Sequence, residues 1–370
     1  MNNAMSIIFA SDNESKLNEL TLHRTTASLP FGGRYRCIDF ALSNLVNSSI
    51  TTIGIITRNN YSSLMDHIRM GRDWDLNRKN SGIVVFPPYA SNTSTNVFKG
   101  KIEALYGILD YIESSDDEYV VVTNSNIIAS IDFDDVYESH VASGADITML
   151  TYNACPTTSR RVIVESDLSG RVRGMKITRN ASEDECELGL FCYLFNRKQL
   201  IQLVSDSYER GKIDFERDIL QSNIDILNIH AYKVKGHAAL VDDIKSYYRE
   251  SMAILDTDVR NSLFDSAGKV FTKVKDSVPT RYYSGATVVN SLIADGCKIN
   301  GRVENSILFR GVVVEEGAEV VNSIVMESGK IMKGSKLNFA ITDKNVTVTE
   351  DKALSGSDAY PVVVVKNKTV

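Results

Sequence analysis

NSLIADGCKINGRVENSILFRGVVVEEGAEVVNSIVMESGKIMKGSKLNFAIT, residues Asn290–Thr342, decides half of the fold. The tetrad Asn-Ser-apolar-apolar occurs at Asn290–Ile293, Asn305–Leu308 and Asn322–Val325, with a weaker echo at Asn338–Ile341. The intervals are 15, 17 and 16 residues. Nested between them are ADGCKI (Ala294–Ile299), EEGAEV (Glu315–Val320) and MKGSKL (Met332–Leu337), each with Gly third and an apolar residue sixth. This spacing predicts a parallel β-helix of hexapeptide type, each coil giving three short strands whose inward side chains stack on the next coil. An antiparallel β domain with regular turns would not require three registers to agree. The β-helix is expected over residues 285–370, with YPVVVV (Tyr360–Val365) as a last strand or coil cap.

Upstream, residues 256–284 carry scattered polar side chains and Pro279, which would interrupt a helix, and read as a connection. Residues 1–255 form the other domain. Ser6–Ala10, Ile50–Thr57, Glu118–Asn124 and Ala145–Tyr152 are short Ile- and Val-rich runs that read as buried strands. Helical patterns lie between them at Asp39–Ser48, Tyr61–Met70, Lys101–Glu113 and Phe133–Ala142. That alternation predicts an α/β domain with a mostly parallel sheet and helices on both faces. Ligands in such sheets sit at the carboxyl ends of the strands, so the loop after the first strand is the first place to look for chemistry.

Composition sets outer bounds. The chain has 370 residues, 47 Asp+Glu against 41 Lys+Arg, and a formal charge of −6. That balance argues against a nucleic-acid footprint over the whole chain. Five scattered cysteines without a CxxC pair indicate neither a disulfide framework nor a zinc site. MNNAMSIIFASDNESK does not read as a signal peptide, and no run reaches the ~18 apolar residues a membrane span needs. A cytoplasmic protein is expected.

Four segments carry a family resemblance: LPFGGRYRCIDFALSN (Leu29–Asn44), MGRDWDLNRKNSGIVVFPP (Met70–Pro88), KIDFERDIL (Lys212–Leu220) and SYYRESMAIL (Ser246–Leu255). Together with the repeats they resemble the glucose-1-phosphate adenylyltransferases (ADP-glucose pyrophosphorylases), from about residue 6 to 350. The resemblance implies a nucleotidyltransferase domain with a Rossmann-like mixed sheet, a left-handed β-helix and a tetramer. It also implies attack of a sugar phosphate on the α-phosphate of ATP, with Mg²⁺ held by carboxylates, chemistry that rests on positioning and charge neutralisation.

The residues that should perform this chemistry depart from the family pattern. Where the family has a Gly-Gly-x-Gly-x-Arg-Leu loop, this chain has Ser11-Asp12-Asn13-Glu14-Ser15-Lys16-Leu17. No glycine remains to let backbone N–H groups approach a triphosphate. Asp12 and Glu14 would repel it, two unit charges ~4 Å apart costing about 4 kcal/mol at an effective dielectric of about 20. Lys16 stands for the arginine as a point charge rather than a fork. Ser125 replaces the family's first metal aspartate and Leu240 its second, although Asp242 and Asp243 lie near enough for a shifted register. The Gly-Thr-Ala-Asp-Ala motif appears as Gly100-Lys101-Ile102-Glu103-Ala104; Lys176 and Arg179 stand near the expected Glu-Lys-Pro clamp, and Thr26 replaces a lysine.

The resemblance therefore implies no catalytic residue and no metal in this chain, Mg²⁺ and ATP belonging to a catalytic partner. It points to the non-catalytic glycogen-biosynthesis subunit of Gram-positive bacteria, in a heterotetramer with the catalytic subunit or a homotetramer alone, with no nucleic acid or membrane as partner. The alternative is an active sugar-1-phosphate nucleotidyltransferase with a rearranged site using Lys16, Glu103 and Asp242 or Asp243. Arg24, Arg34 and Arg36 form a basic cluster that either binds a phosphorylated effector or makes intersubunit salt bridges. His67 and Trp74 read as packing residues, and Asp134-Asp135 as helix-end charges. Acyl transfer by the β-helix would need a base there, but the last histidine is His237.

Overall fold

A computed structural model of the chain describes residues 1, 3–10, 16–58, 60–78, 81–88 and 98–370. The first domain is built on a mixed sheet whose strands are β1 (Ala4–Phe9), β2 (Thr52–Ile56), β3 (Gly82–Phe86), β4 (Tyr119–Asn124), β5 (Ile147–Ala154), β6 (Arg161–Ser166), β7 (Val172–Thr178), β8 (Cys186–Asn196) and β9 (Ile229–Lys233). The spatial order is β7-β6-β8-β4-β1-β2-β3, with β5 pairing β8 and β9. β4, β1, β2 and β3 run parallel, while β8 turns antiparallel to β4 and β5. The parallel half is the part with helices between its strands. In the antiparallel half β5, β6, β7 and β8 follow one another with no helix between them, so it left no helical spacing to read.

β1 is buried along its whole length. Its flank helices include α1 (Cys37–Asn47), α2 (Ser62–Ile68), α3 (Lys101–Tyr106), α4 (Leu109–Glu113), α5 (Phe133–Ser143) and α6 (Arg197–Glu209). The expected single helix over Lys101–Glu113 is thus two, parted at Gly107 and Ile108. A short strand pair, Ile127–Ala129 with Ala238–Leu240, forms just after the carboxyl end of β4, and α7 (Ile244–Ala253) follows. Asp243 caps α7 by accepting from the Ser246 N–H at 2.6 Å.

The stretch 256–284, expected as a connection, contains a helix at Thr257–Phe264 capped by Asp256, and the first β-helix strand already begins at Arg281. From there three five-stranded parallel sheets form the faces of a left-handed β-helix. Val303, Val320 and Leu337 stack on one face, and Ile299, Val314, Ile331 and Val348 on another, all buried. Asn290, Asn305 and Asn322 turn one corner with φ near +40° to +46°. Asn tolerates this left-handed backbone better than other side chains. In the fourth coil the corner residue is Phe339, not Asn338 as the repeat suggested.

The domains share a core. Leu17, Leu29, Phe31 and Phe40 pack with Tyr247 and Tyr248 of α7 and with Ile307, Ile324 and Ile341 of the β-helix. Gly33 shows why the Phe-Gly-Gly motif belongs here: its φ is +80°, and a Cβ would meet Leu292 at 2.9 Å. Tyr248 donates to the Asn322 carbonyl at 2.6 Å. Arg24 donates to both carboxylate oxygens of Asp343, at 2.8 and 2.9 Å, with both side chains buried.

Candidate functional site

The carboxyl ends of β1 and β4 lie side by side, Phe9 opposite Asn124. The Ser125 N–H continues the pairing, donating to the Phe9 carbonyl at 3.0 Å. Ser125 is buried, and Asn126 beside it exchanges hydrogen bonds with Val241: its Nδ2 donates to the Val241 carbonyl at 3.1 Å and its carbonyl accepts from the Val241 N–H at 2.9 Å. Asn44 of the IDFALSN motif donates to the Ala129 carbonyl at 2.9 Å, fixing the strand that leaves the site. The two positions predicted to have lost metal carboxylates are therefore neighbours, since Leu240 pairs with Ile127 two residues beyond Ser125. Ser11, Asp12 and Glu14 lie outside the described residues. Lys16 donates to the Thr158 carbonyl at 2.9 Å, and Glu103 accepts from the Lys99 N–H at 2.5 Å.

The nearby acids are already engaged. Asp242, buried, is clasped by both terminal nitrogens of Arg161. Asp243 caps α7 and accepts from the Ser159 hydroxyl at 3.1 Å. Mg²⁺ favours carboxylates with free oxygens together with phosphate. A serine, a leucine and two committed aspartates do not fit that ion.

Sequence reasoning missed what fills the cleft. Glu216, 1% exposed, accepts from Lys101 Nζ at 2.8 Å and from Arg160 Nη1 at 2.7 Å. Arg160 also donates to Asp214 at 2.6 Å, and the Tyr193 hydroxyl lies 3.4 Å from Glu216. The Lys101 ammonium sits 5.5 Å from the ring centre of Phe9 and 5.0 Å from that of Phe191. Burial works to raise the Glu216 pKa, but the Lys101 and Arg160 charges and their hydrogen bonds overcome it and hold it at about 2. The residual cavity bounded by Phe9, Ile56, Arg58, Phe98, Lys101 and Ala104 is ≈20 Å³, room for about one water. Adjacent arginines opening an apolar strand were the available signal.

Beyond Arg161 a cavity of ≈360 Å³ opens against Tyr152, Cys155, His237, Leu240 and Arg249. Within it His237 and Arg249 flank the Glu250 carboxylate at 2.9 and 2.7 Å.

The predicted basic cluster divides. Arg24 is buried in its pair with Asp343. Arg34 and Arg36 instead line a cleft between the domains, with Lys273, Lys275, Arg310 and Lys344 added by the connection and the β-helix. Six basic residues face one lining acid, Glu327, which accepts from Lys275 and from Lys344 at 2.9 Å. Burial, then repulsion from Arg36, lowers the Lys344 pKa; burial, then Arg34, lowers that of Arg310. Arg310 Nε is buried without a hydrogen bond, its carboxylate neighbour Asp295 lying 3.9 Å away. On the cleft wall His67 pairs with Asp39 at 2.6 Å and stands edge-on to buried Trp74, as packing residues.

Residues 5–256 match the nucleotidyl transferase family and residues 278–360 the GlmU-like C-terminal hexapeptide family. The chain is 31% identical to the glycogen biosynthesis protein GlgD of Bacillus subtilis (strain 168), over 99% of this chain and 96% of that one. It is 32% identical to the glucose-1-phosphate adenylyltransferase of Pseudothermotoga lettingae, over 86% of this chain and 77% of that one. With the same-named protein of Acetivibrio thermocellus the identity is 29%, over 96% and 84%. Among the described residues, no helix is long and apolar enough to cross a membrane.

Proposed function

This chain belongs to the nucleotidyl transferases, in the glucose-1-phosphate adenylyltransferase family, and from that premise we propose that it is a non-catalytic subunit that binds and activates a catalytic paralogue making ADP-glucose for glycogen synthesis. The observation that carries the reading is the neutral, occupied donor set beneath the ends of β1 and β4. Ser125 and Leu240 offer no carboxylate, while Asp242 and Asp243 are spent on Arg161 and on the cap of α7. The alternative of a rearranged active site using Lys16, Glu103 and Asp242 or Asp243 gains no support, because each of these residues already has an internal partner.

Activation requires tighter binding to the active conformer of the partner than to the inactive one. The basic interdomain cleft supplies a reason for metabolite control: a phosphorylated effector would relieve the repulsion among Arg34, Arg36, Arg310 and Lys344. The assembly that the family resemblance implies for this chain is a heterotetramer.

The test is an assay of purified chain alone, of the catalytic paralogue alone and of the mixture, with size-exclusion chromatography of each. The expected outcome is no ADP-glucose from this chain, co-elution with the paralogue, and faster synthesis by the complex. Substantial synthesis by this chain alone overturns the reading. In the complex, an Arg34→Ala, Arg36→Ala double variant is expected to lose the response to sugar phosphates while keeping basal activity; an unchanged response assigns the cleft another role.

A further inference from the structure

The cleft at the carboxyl ends of β1 and β4 is the place where an open α/β sheet receives its ligand. Here it holds two cations from distant parts of the chain, Lys101 and Arg160, grasping one buried carboxylate at 2.8 and 2.7 Å. A lysine and an arginine converging on an anion are the chemistry that binds phosphate. We infer that the Glu216 side chain occupies a phosphate subsite as a built-in anion, so that the chain keeps its own sugar-phosphate position permanently filled. This deepens the non-catalytic reading and rests on it.

Three features argue that the arrangement is specific. Glu216 opens a single π-helical turn, Glu216–Leu220, an uncommon backbone that recurs at functional sites. Phe191, whose ring packs against the Lys101 ammonium, is buried at φ +54° within a bulge between Gly189 and Tyr193. A bulky residue in that region is strained and persists where its surroundings hold it. Finally, the cavity left beside Lys101, ≈20 Å³, has room for about one water. Any arriving phosphate must displace a tethered competitor, whose effective concentration is of order millimolar or above.

The inference predicts that removing the carboxylate uncovers a site. Isothermal titration with glucose 1-phosphate, and separately with inorganic phosphate, would count sites per chain in wild type and in Glu216→Ala. Wild type reports whatever binds in the basic interdomain cleft; Glu216→Ala is expected to gain one further site. The Lys101→Ala, Glu216→Ala double variant should lose it again. If Glu216→Ala does not fold, Glu216→Ser serves, since it removes the charge and clears the space while leaving a hydroxyl beside Lys101 and Arg160. Equal stoichiometry in wild type and in the folded variants overturns the inference, as does a wild-type phosphate site abolished by Lys101→Ala. These readouts are independent of turnover: synthesis of ADP-glucose by wild type would strike the functional proposal, whereas sugar-phosphate binding at Lys101 without synthesis would strike this inference alone.

Discussion

Glu216 shows most directly how single residues define this cleft. Removing one member of a buried ion pair strands the rest, typically at a cost of about 3–5 kcal/mol. Glu216→Gln, which keeps a hydrogen-bonding oxygen, is expected near the lower end, about 3 kcal/mol at neutral pH. The folded carboxyl pKa of about 2 lies below its ordinary value of 4.5. A depressed folded pKa gives stability that is complete above the unfolded value and is lost as pH falls through the folded one. The gap between wild type and Glu216→Gln in urea unfolding should therefore be smaller at about pH 3 than at about pH 6. A gap indifferent to pH would mean that the carboxylate is not held ionised. The sequence pointed to Ser125 and Leu240 as the places to look, because a motif marks where the family pattern has a carboxylate. It could not reveal the replacement. Lys101 and Glu216 are 115 residues apart and meet through the sheet's strand order, which no local pattern encodes.

Among the elements, the β-helix was legible because each coil repeats the same physical problem at the same spacing. Its corners illustrate both the rule and its exception. Asn305 turns at φ +44° and accepts a hydrogen bond from Asn290 Nδ2 at 2.7 Å. Asn305→Ala should cost about 1–2 kcal/mol from the left-handed backbone and the lost hydrogen bond. Asn305→Gly, free of the backbone term, should cost less, and thermal unfolding of the two variants would rank them. The reverse order would place the corner's stability in side-chain packing rather than in backbone conformation. In the fourth coil Phe339 holds the corner at φ +49°, its ring centre 6.3 Å from that of Tyr248. There a contact with α7 outweighs local preference, so the repeat pointed one residue early. The antiparallel half of the sheet was hidden for a different reason: from β5 to β8 strand follows strand without the helical spacers that made the parallel half readable.

At the scale of the whole molecule, Arg24 carries the lesson. Its sequence neighbours suggested an anion site, yet its guanidinium is spent on Asp343, 319 residues away. Arg24→Ala leaves Asp343 buried with the Lys344 N–H as its remaining hydrogen-bond donor at 2.6 Å, and should destabilise the chain by about 3–5 kcal/mol in denaturant unfolding. An Arg24→Met, Asp343→Leu double variant should recover most of that loss. A loss below about 0.5 kcal/mol for the single variant would show the pair to be incidental. Two domains are written in the sequence as separate periodicities; their shared core is written only in three dimensions.

That core has a consequence for how the protein is made. Leu17, Leu29 and Phe31 are sealed by Ile307, Ile324 and Ile341. During synthesis these early apolar side chains must wait, partly uncovered, until the last coils have left the ribosome. The nascent chain is therefore most vulnerable to aggregation and to chaperone capture late in translation, after its central sheet has formed.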